Sequence, residues 1–543
     1  MHRLTPMALA LSLSFAASAC SGDDDGKTSP PTPTPKPTPT PMPQPTSGAL
    51  SVTLTQAPSD MLQAAAVEVT TTADATLHLE WTDGDGHTAS HAPAEPGSQV
   101  VPVLGMKADR TYTLTVTATT ADGAVSDEEL TFQTAAVPSW FPVGEVVVER
   151  DEPTLTLMSL LTGNNGVPDP ANAVAVFDEN GEYVYWQGVL GRMHDARPAD
   201  RGLELFVGDD YPEIRDVDML GNLLVGYRTA DSPYPASGPE VLDVASPGRF
   251  HHDHLSVGDG TRWVLSKQVI SVPEYPLDYT LAASAPADIA DGVLHHFAAD
   301  GSTLKTISLA DVLPTSRVAF DSIEPTGVEG APDWTHENAV NLHPDGDLLV
   351  SMRHQDAILK LDPDTEEIAW ILGNHENWPA EYERYLLEPI GDVEWPYHQH
   401  AVSVRADGSI MMFDNGNFRA SPGPGVQPPD ESEFYSRVVA YEVDPDQMTV
   451  EEVLDRRLQP RAFAIGVGDA DELPNGNVVG HFGYIVREGG VPNEDLGRGR
   501  ATVRVVEWDA AGDELWHLFV ATDQLVPQGW SSFRSERIDS LYP

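Results

Sequence analysis

Histidine and asparagine side chains occupy matching places in three strand–turn–strand units of the chain. His252, Asn338 and His400 each stand eight positions before the glycine of an Asp-Gly turn, and His336 and His398 stand ten positions before one. Several neutral imidazoles and an amide around one point suit the binding of a tetrahedral oxyanion. Histidine can also act as a nucleophile or carry a proton near neutral pH. The pattern therefore predicts a site that binds such an anion and does chemistry on it.

The strand after each turn adds a further polar residue to the pattern. Lys267, Arg353 and Asn415 each lie seven positions after the turn glycine of their unit. A guanidinium beside the imidazoles can bind two oxygens of one anion. Arg353 lies on the strand next to that of His336, and we expect it to reach the same point. The sequence shows no Gly-rich phosphate loop, nucleotide-binding motif or nucleophile elbow, so none of these supplies the chemistry.

A short sequence motif recurs between residues 138 and 543 and supplies the strands that position these residues. It consists of an alternating apolar strand, an Asp or Asn turn and a second strand, and it starts near residues 174, 214, 294, 358, 438 and 503. Other hairpins, often beginning with histidine, lie between the repeats. This pattern predicts a six-bladed β-propeller of four-stranded blades, with seven blades as the alternative. The first strand of each blade lines the central channel, so His252, Asn338 and His400 should converge there, with His336 close by.

Residues 48–137 predict a small β-sandwich before the propeller, so the fold class is all-β. The alternating runs that begin at Val67, Thr76 and Tyr112 are separated by turns at Asp83-Gly84-Asp85-Gly86 and Asp122-Gly123. Their length and spacing fit a β-sandwich, and the segment resembles a fibronectin type III module. His87 and His91 are expected in a turn, as exposed residues without a site.

The N-terminus has the layout of an export signal. A positively charged start and an apolar run that is too short to span a bilayer lead directly to Cys20, the single cysteine of the chain. Residues 1–19 resemble a bacterial lipoprotein signal, which implies cleavage before Cys20 and lipid attachment to its sulfur; an ordinary secretory signal is the alternative. Residues 20–47 are rich in Pro and Thr and predict an extended tether. We expect a cell-envelope lipoprotein, on the periplasmic face or at the outer membrane and cell surface.

The charge of the chain limits its partners. The formal net charge is −53, from 84 acidic and 31 basic residues. Nucleic acid and anionic membrane surfaces need basic patches, so neither is expected as a partner, and the membrane is reached through the lipid anchor alone. The sequence does not decide the oligomeric state.

Five fragments follow one another along the second part of the chain: His252-Asp253, His336-Glu337-Asn338, Ser351-Met352-Arg353, Gln399-His400-Ala401 and the closing run from Phe533 to Tyr542. Together they resemble the bacterial arylsulfate sulfotransferase family. The resemblance covers roughly residues 140 to 543 and implies a six-bladed propeller that moves a sulfuryl group from an aryl sulfate to a phenol. It implies that no nucleotide sulfate donor is used, and we expect no cofactor. The single cysteine leaves no internal disulfide near the site.

The resemblance also implies roles for individual residues. His400 would become transiently sulfated, His252, His336 and Arg353 would hold the sulfuryl oxygens, and Asn338 would belong to the same cluster. Neutral His400 would attack sulfur while a neighbouring imidazole, such as His336, protonates the departing phenolate, which gives ping-pong kinetics.

Three further residues are candidates for substrate binding. Strand alternation places His254 on the same face as His252 and places His251 on the opposite face. Lys267 is a candidate because it lies seven positions after the turn glycine of its unit. Tyr397 is a candidate because it lies near His400 in the sequence, where it can pack against an aryl group. The other histidines beside turns, His343, His354 and His375, are expected to be solvated.

Two other functions remain open from the sequence. A metal-dependent propeller hydrolase or lyase would bind a divalent ion through His252, His254, His336 and His400. The sulfotransferase interpretation predicts no metal at these histidines. A surface lipoprotein that only binds a partner would tolerate replacement of His400.

Overall fold

The computed structural model describes most of the chain after residue 50. The described residues are 51–56, 61, 63–71, 74–84, 87–94, 97–121, 123, 125–150, 152–162, 172–208, 212–488, 491–492, 499–522 and 529–542. The expected signal (1–19), Cys20 and the tether (20–47) lie outside these residues. The described chain is nearly all β, which confirms the all-β prediction.

Seven strands form two antiparallel sheets at the N-terminal end of the described chain. In chain order they are β1 (Ser51–Gln56), β2 (Ala65–Thr71), β3 (Ala75–Thr82), β4 (His87–Ala94), β5 (Gly97–Val103), β6 (Thr111–Thr120) and β7 (Val125–Gln133). One sheet has the order β1-β2-β5 and the other β4-β3-β6-β7. Val67 of the first sheet and Leu79 and Val116 of the second are buried in one apolar core, as in a β-sandwich.

The prediction that His87 and His91 lie in a turn is wrong. Both residues belong to β4, because the ladder pairs Trp81 of β3 directly with His87. The turn between the two strands therefore ends before His87.

The remaining described strands form six further sheets. Their strands are β8 (Val143–Val148), β9 (Leu155–Leu160), β10 (Asn172–Phe177), β11 (Tyr183–Val189), β12 (Arg192–Ala199), β13 (Gly202–Gly208), β14 (Glu213–Val217), β15 (Leu223–Thr229), β16 (Val241–Val244), β17 (Arg249–Ser256), β18 (Arg262–Pro276), β19 (Ser284–Phe297), β20 (Thr303–Ser308), β21 (Glu337–Leu342), β22 (Leu348–Met352), β23 (Ala357–Leu361), β24 (Ile368–Gly373), β25 (Glu388–Pro389), β26 (His400–Val404), β27 (Ile410–Asp414), β28 (Arg437–Asp444), β29 (Thr449–Arg456), β30 (Asp469–Glu472), β31 (Val478–Glu488), β32 (Val491–Pro492), β33 (Arg500–Trp508), β34 (Glu514–Ala521) and β35 (Ser535–Ile538). One short helix, α1 (Leu309–Val312), and four 3₁₀ turns (Val328–Gly330, Arg353–Gln355, Glu383–Tyr385 and Glu431–Glu433) complete the described elements. Among the described residues, no helix combines the length and the apolar character that a membrane crossing requires.

Each of the six sheets is built around a four-stranded meander. The orders are β35-β9-β10-β11, β12-β13-β14-β15-β16, β17-β18-β19-β20, β21-β22-β23-β24, β26-β27-β28-β29-β25 and β30-β31-β33-β34-β8. Each of the six hairpins predicted from the repeated sequence motif is formed by the third and fourth strands of one of these sheets. The C-terminal strand β35 completes the sheet that contains β9, β10 and β11.

Hydrogen bonds link the first strand of each sheet to that of the next. The linked atoms are Arg197 Nη1 and His254 O (2.7 Å), Asp253 Oδ2 and Val340 N (2.9 Å), Asn341 Nδ2 and Val402 O (3.2 Å), Ser403 Oγ and Ala470 O (3.4 Å), Asp469 Oδ2 and Ser535 N (3.4 Å), and Arg534 Nη1 and Asp195 Oδ2 (3.2 Å). The first strands β12, β17, β21, β26, β30 and β35 are therefore neighbours in succession, and residues at their ends can share one site.

A buried ion-pair network ties these first strands to the C-terminus. Arg534 lies 3.0 Å from each carboxylate oxygen of Asp253, and Arg197 also contacts Asp253 at 2.7 Å. The two arginines lower the pKa of Asp253 to about 2 against the effect of burial. The residue directly after His252 is thus held as a paired carboxylate, which restrains the backbone next to the candidate site.

Candidate active site

The backbone is irregular at the histidines of the first strands. The pairing register shifts between Phe250 and His254 in β17 and between Glu337 and Ala339 in β21. His252 and His336 have φ values of +57° and +46°, in the left-handed region that residues with a Cβ rarely adopt. Bulges and such backbone conformations persist only where the surroundings enforce them, and they re-aim side chains. Neighbouring histidines can therefore face the same cavity instead of alternating between two faces.

A cavity of about 670 Å³ lies at these irregular strand ends. Five sequence-predicted residues line it: His252, Lys267, His336, Arg353 and His400. The other lining residues are Arg192, His194, His251, Asp321, Thr326, Gly327, Val328, Asp333, Asn417, Ile465, Gly466, Val467, Tyr484 and Phe533. The convergence of the four predicted catalytic residues on one cavity is the central feature of the site.

His400, the first residue of β26, is oriented by Asn415. The Nδ2 amide of Asn415 donates to the main-chain oxygens of Ala464 and Val467 at 2.9 and 2.8 Å, so its Oδ1 is the acceptor that faces His400. His400 Nδ1 lies 2.6 Å from that oxygen and therefore carries the proton. The lone pair of the neutral ring is then on Nε2, which has a long contact of 3.3 Å with the Val467 N–H.

The environment keeps His400 neutral. The side chain is 3% exposed. Burial lowers the pKa of His400 well below its usual value, and the nearby Arg353 charge lowers it further. A neutral imidazole whose Nε2 lone pair accepts only a long hydrogen bond at a cavity wall is a competent nucleophile.

His336 is held by the carboxylate of Asp333. His336 Nδ1 lies 2.6 Å from Asp333 Oδ2, and the same oxygen accepts from Lys267 Nζ at 2.7 Å. Burial lowers the pKa of His336 to about 4, although Asp333 opposes this shift. The ammonium and imidazole neighbours hold the pKa of Asp333 well below its usual value against burial. Since an ionised carboxylate only accepts, neutral His336 carries its proton on Nδ1 and presents the Nε2 lone pair.

His252 belongs to a short row of polar contacts that starts at Glu337. Glu337 Oε1 lies 2.8 Å from His251 Nε2, and His251 Nδ1 lies 2.9 Å from His252 Nδ1. The His252 and His336 rings are 4.7 Å apart between centroids. Burial in this cluster lowers the pKa of His252 well below its usual value, and the charges of His336 and His251 act in the same direction. The row connects a buried carboxylate to an imidazole in the cavity wall.

Arg353 extends from the end of β22 toward Asp321 and two further histidines. Its Nη1 lies 2.5 Å from His354 Nε2 and 3.6 Å from Asp321 Oδ2. His398 lies beyond, with its Nδ1 2.8 Å from Asp356 Oδ1. Burial alone would lower the pKa of His398, but the two carboxylates outweigh it and raise that pKa. The site thus combines the neutral imidazoles of His252, His336 and His400 with the guanidinium of Arg353.

An apolar wall completes the cavity. Val328, Ile465, Val467 and Phe533 line it beside the polar residues. The Phe533 ring stacks on His194 at 4.9 Å between centroids, and it lies 6.3 Å from the His400 ring. Apolar and aromatic surface next to an anion site suits a ligand that joins an aromatic ring to a charged group.

The family model for arylsulfotransferases (ASST) matches residues 145–515, over half of the chain. The chain belongs to the arylsulfotransferase family. The matched residues include every cavity residue that the sequence predicted.

Two curated arylsulfate sulfotransferases are similar to this chain. The protein AssT of Escherichia coli O6:H1 is 28% identical over 329 residues, and AssT of Lelliottia amnigena is 24% identical over 324 residues. Each match covers 52% of this chain and 52% of the relative. The chain therefore spans about half the length of the curated relatives it matches.

Two solved structures show a weak likeness. A protein of unknown function from Bacteroides caccae has a TM-score of 0.39 at 11% identity, over 72% of this chain and 100% of that one. A protein from Lactobacillus plantarum has a TM-score of 0.32 at 12% identity, over the same shares of the two chains. Likenesses of this size do not establish the fold.

Three residues predicted for the arylsulfotransferase site lie outside the cavity lining. Asn338 is fully buried and donates from Nδ2 to the main-chain oxygen of Gln399 at 2.8 Å. His254 is fully buried against Glu204, 2.7 Å from Nε2 to Oε1. The main-chain N–H of Tyr397 donates to Asp414. Their roles in substrate binding stay predictions.

The prediction of which side chains near His252 face the site is wrong in one respect. Strand alternation would place His254 on the same face as His252 and His251 on the opposite face. In the structure His251 lines the cavity and His254 does not. The register shift in β17 between Phe250 and His254 is the reason, because a bulge breaks the two-residue period.

The sequence-based prediction missed several residues of the site. His354, expected to be solvated, is 2% exposed because its Nδ1 lies 2.6 Å from the main-chain oxygen of Asp333. Asp333 stands three residues before His336, a spacing that is compatible with a carboxylate–imidazole pair. His354 lies outside the cavity lining, and the missed lining residues include His194, His251, Asp321 and Asp333. Only the His251-His252 doublet offered a signal in the sequence.

The histidines named for a metal-dependent hydrolase do not converge as a ligand set. His254 lies against Glu204, away from the cavity lining. Within the described ranges, the groups with convergent ligand atoms are Asp321, His354 and His398, and Asp333, His336 and His354. Neither group contains His252 or His400.

Proposed function

We propose that this protein transfers a sulfuryl group from an aryl sulfate to a phenolic acceptor through a sulfated His400. No nucleotide sulfate donor takes part. The observation that carries the proposal is the pairing of His400 Nδ1 with Asn415 Oδ1 at 2.6 Å, which leaves a neutral Nε2 at the cavity wall. Membership of the arylsulfotransferase family supports it, as do the two curated arylsulfate sulfotransferases of similar sequence.

In the first half-reaction the donor sulfate binds with its oxygens toward Arg353 and His252. An aryl sulfate carries one negative charge, so one guanidinium and neutral donors suffice to stabilise it. The lone pair of His400 Nε2 forms a bond to sulfur, and the bond between sulfur and the aryl oxygen breaks. Positive charge grows on the His400 ring, and Asn415 Oδ1 stabilises it at Nδ1–H.

His336 donates a proton in the first half-reaction and accepts one in the second. The entering anion raises the pKa of His336, because an opposite charge favours the imidazolium. His336 takes up a proton from solvent at Nε2 as the donor binds, gives this proton to the departing phenolate and becomes neutral again. In the second half-reaction the same nitrogen takes the proton of the acceptor phenol, whose oxygen attacks sulfur and releases His400.

The same proposal includes the architecture and location that the family implies. The six sheets of residues 143–538 act as blades of a six-bladed propeller, supported by the hydrogen bonds between successive first strands. The two N-terminal sheets form a fibronectin type III-like module. We also propose lipid attachment at Cys20, which would hold the enzyme at the cell envelope.

The test is release of 4-nitrophenol from 4-nitrophenyl sulfate by the purified protein, with and without added phenol. We expect phenol-dependent release by wild type and by His343→Ala, a change outside the cavity lining, and no release by His400→Ala. Mass spectrometry of wild type after donor alone should detect a sulfated His400. Release that does not need phenol would indicate a sulfatase, and phenol-dependent release by His400→Ala would overturn the proposal.

A further inference from the structure

We propose that Asp321, His354 and His398 form a binding site for one divalent transition-metal ion, and that this ion inhibits the enzyme by competing with Arg353. The ligand atoms of these three residues all lie within 4.8 Å of one another. Two imidazole nitrogens and one carboxylate oxygen are ligands that Zn²⁺ and related ions prefer. The ion takes no part in sulfuryl transfer. The inhibition rests on the proposed function, but the binding does not.

Both histidines have the outer contacts of metal ligands. His354 Nδ1 lies 2.6 Å from the main-chain oxygen of Asp333, and His398 Nδ1 lies 2.8 Å from Asp356 Oδ1. These oxygens only accept, so each Nδ1 carries a proton and each Nε2 is left for a ligand. Metal-binding histidines in proteins are held in the same way, by a carbonyl or carboxylate at the other ring nitrogen.

His398 provides the second observation that points to a ligand. Its side chain is 1% exposed, and its Nε2 has no hydrogen-bond partner. The nearest carboxylate oxygen, Asp321 Oδ2, is 3.7 Å away, beyond hydrogen-bond distance. A buried polar atom without a partner is costly, and an ion between Nε2 and the carboxylate would satisfy both once Nε2 is deprotonated.

Without an ion, the guanidinium of Arg353 occupies part of the position where the ion would bind. Its Nη1 contacts His354 Nε2 at 2.5 Å and approaches Asp321 Oδ2 at 3.6 Å. A metal ion needs the same lone pair of His354 and repels the guanidinium. Metal binding therefore displaces Arg353, and the sulfuryl oxygens lose their fixed positive charge.

The second convergent group, Asp333, His336 and His354, does not share these properties. Asp333 Oδ2 is already bound by Lys267 Nζ at 2.7 Å and by His336 Nδ1 at 2.6 Å. An ammonium ion thus already neutralises this carboxylate, and His336 turns its protonated nitrogen toward it. The ion is expected at Asp321 rather than at Asp333.

The test is calorimetric titration of the metal-free full-length protein with Zn²⁺ at a pH of about 8, since alkaline pH favours the deprotonated histidines that bind a metal. We expect one ion per chain for wild type and for His343→Ala, which removes a histidine beside another carboxylate. His398→Ala and Asp321→Asn should each weaken binding about tenfold or more. Arg353→Ala should bind Zn²⁺ more tightly than wild type, because the competing cation is gone.

Several results would overturn the site. Unchanged affinity in His398→Ala would place the ion elsewhere, and unchanged or weaker affinity in Arg353→Ala would exclude competition. Circular dichroism spectra establish that each variant is folded. In the activity assay, Zn²⁺ should inhibit wild type at the concentrations that fill the site, and active enzyme at full occupancy would contradict the inhibition. If wild type turns over no aryl sulfate at all, the titration still decides the site, and the failure then belongs to the proposed function.

Discussion

Asn415 fixes the tautomer of His400. Because the Asn415 amide nitrogen donates to two main-chain oxygens, its Oδ1 accepts from His400 Nδ1 at 2.6 Å. The imidazole is buried beside Arg353, which keeps its pKa low. These two effects together present an unprotonated Nε2 to the cavity.

Replacing Asn415 with aspartate should move the activity to higher pH. A carboxylate at Nδ1 favours the imidazolium and raises the pKa of His400, so the nucleophile is protonated over more of the pH range. We expect kcat/KM for 4-nitrophenyl sulfate to fall at pH 6 and to recover partly as pH rises, measured as a full pH–rate profile. Asn475→Asp, in an exposed turn, is the matched control and should leave the profile unchanged. A uniform loss of activity at all pH values would contradict the assigned role.

Replacing Asp333 with asparagine should impair proton transfer to the leaving group. Asp333 raises the pKa of His336 against the effect of burial, so its loss lowers that pKa further. The change should matter most for donors whose phenolate is strongly basic and must be protonated, and least for 4-nitrophenyl sulfate. We expect a steeper dependence of kcat on the pKa of the leaving phenol. Asp333→Glu should restore part of the activity, and an equal loss for all donors would indicate a structural role only.

The sequence predicted the regular part of this molecule better than the irregular part. The positions of the turns followed from Asp-Gly pairs such as Asp345-Gly346 and Asp407-Gly408, whose glycines have φ values of +102° and +90°. Glycine adopts such angles at little cost, so a local signal sufficed. Strand alternation then gave the outer hairpins of each of the six sheets correctly.

The facing of the site residues depends on tertiary contacts that leave no local signal. The φ values of His252 and His336 lie in the left-handed region, and the sequence around them has no turn glycine that would predict this. His354 is buried by a contact with Asp333, 21 positions earlier in the chain. The convergence of His252, His336, Arg353 and His400 came from their repeat positions and from the family resemblance, since neither local burial nor strand alternation indicates it.

Acid should destabilise the folded protein through buried neutral histidines such as His481. His481 is fully buried on β31, and burial lowers its pKa to about 4. Between pH 6.5 and 4 the unfolded chain binds a proton that the folded chain excludes, so stability is lost as pH falls through this window and is fully present above it. For this residue the loss from pH 7 to pH 5 is about 2 kcal/mol.

Urea unfolding of wild type and His481→Gln at pH 7 and pH 5 measures this contribution. The variant should be less stable at pH 7 but should lose less stability on acidification, by about 2 kcal/mol. The difference between the two pH values, not the absolute stability, is the quantity to compare. An equal loss in both proteins would show that His481 is protonated in the folded state.

Replacing Glu337 with glutamine should weaken binding of the donor through two histidines. Of His251 Nδ1 and His252 Nδ1, 2.9 Å apart, only one can hold the shared proton. The Glu337 carboxylate, whose pKa His251 lowers against burial, orients the His251 ring through its Nε2, 2.8 Å away. This orientation favours one arrangement of the shared proton and holds the His252 ring at the cavity wall. In Glu337→Gln this preference is lost, and KM for the aryl sulfate should rise about tenfold, the equivalent of one hydrogen bond to a charged group.

Glu367→Gln, on the exposed surface, is the control for Glu337→Gln, and nitrogen chemical shifts of His252 report its tautomer directly. An unchanged KM together with an unchanged His252 tautomer would show that Glu337 only fills space beneath the site.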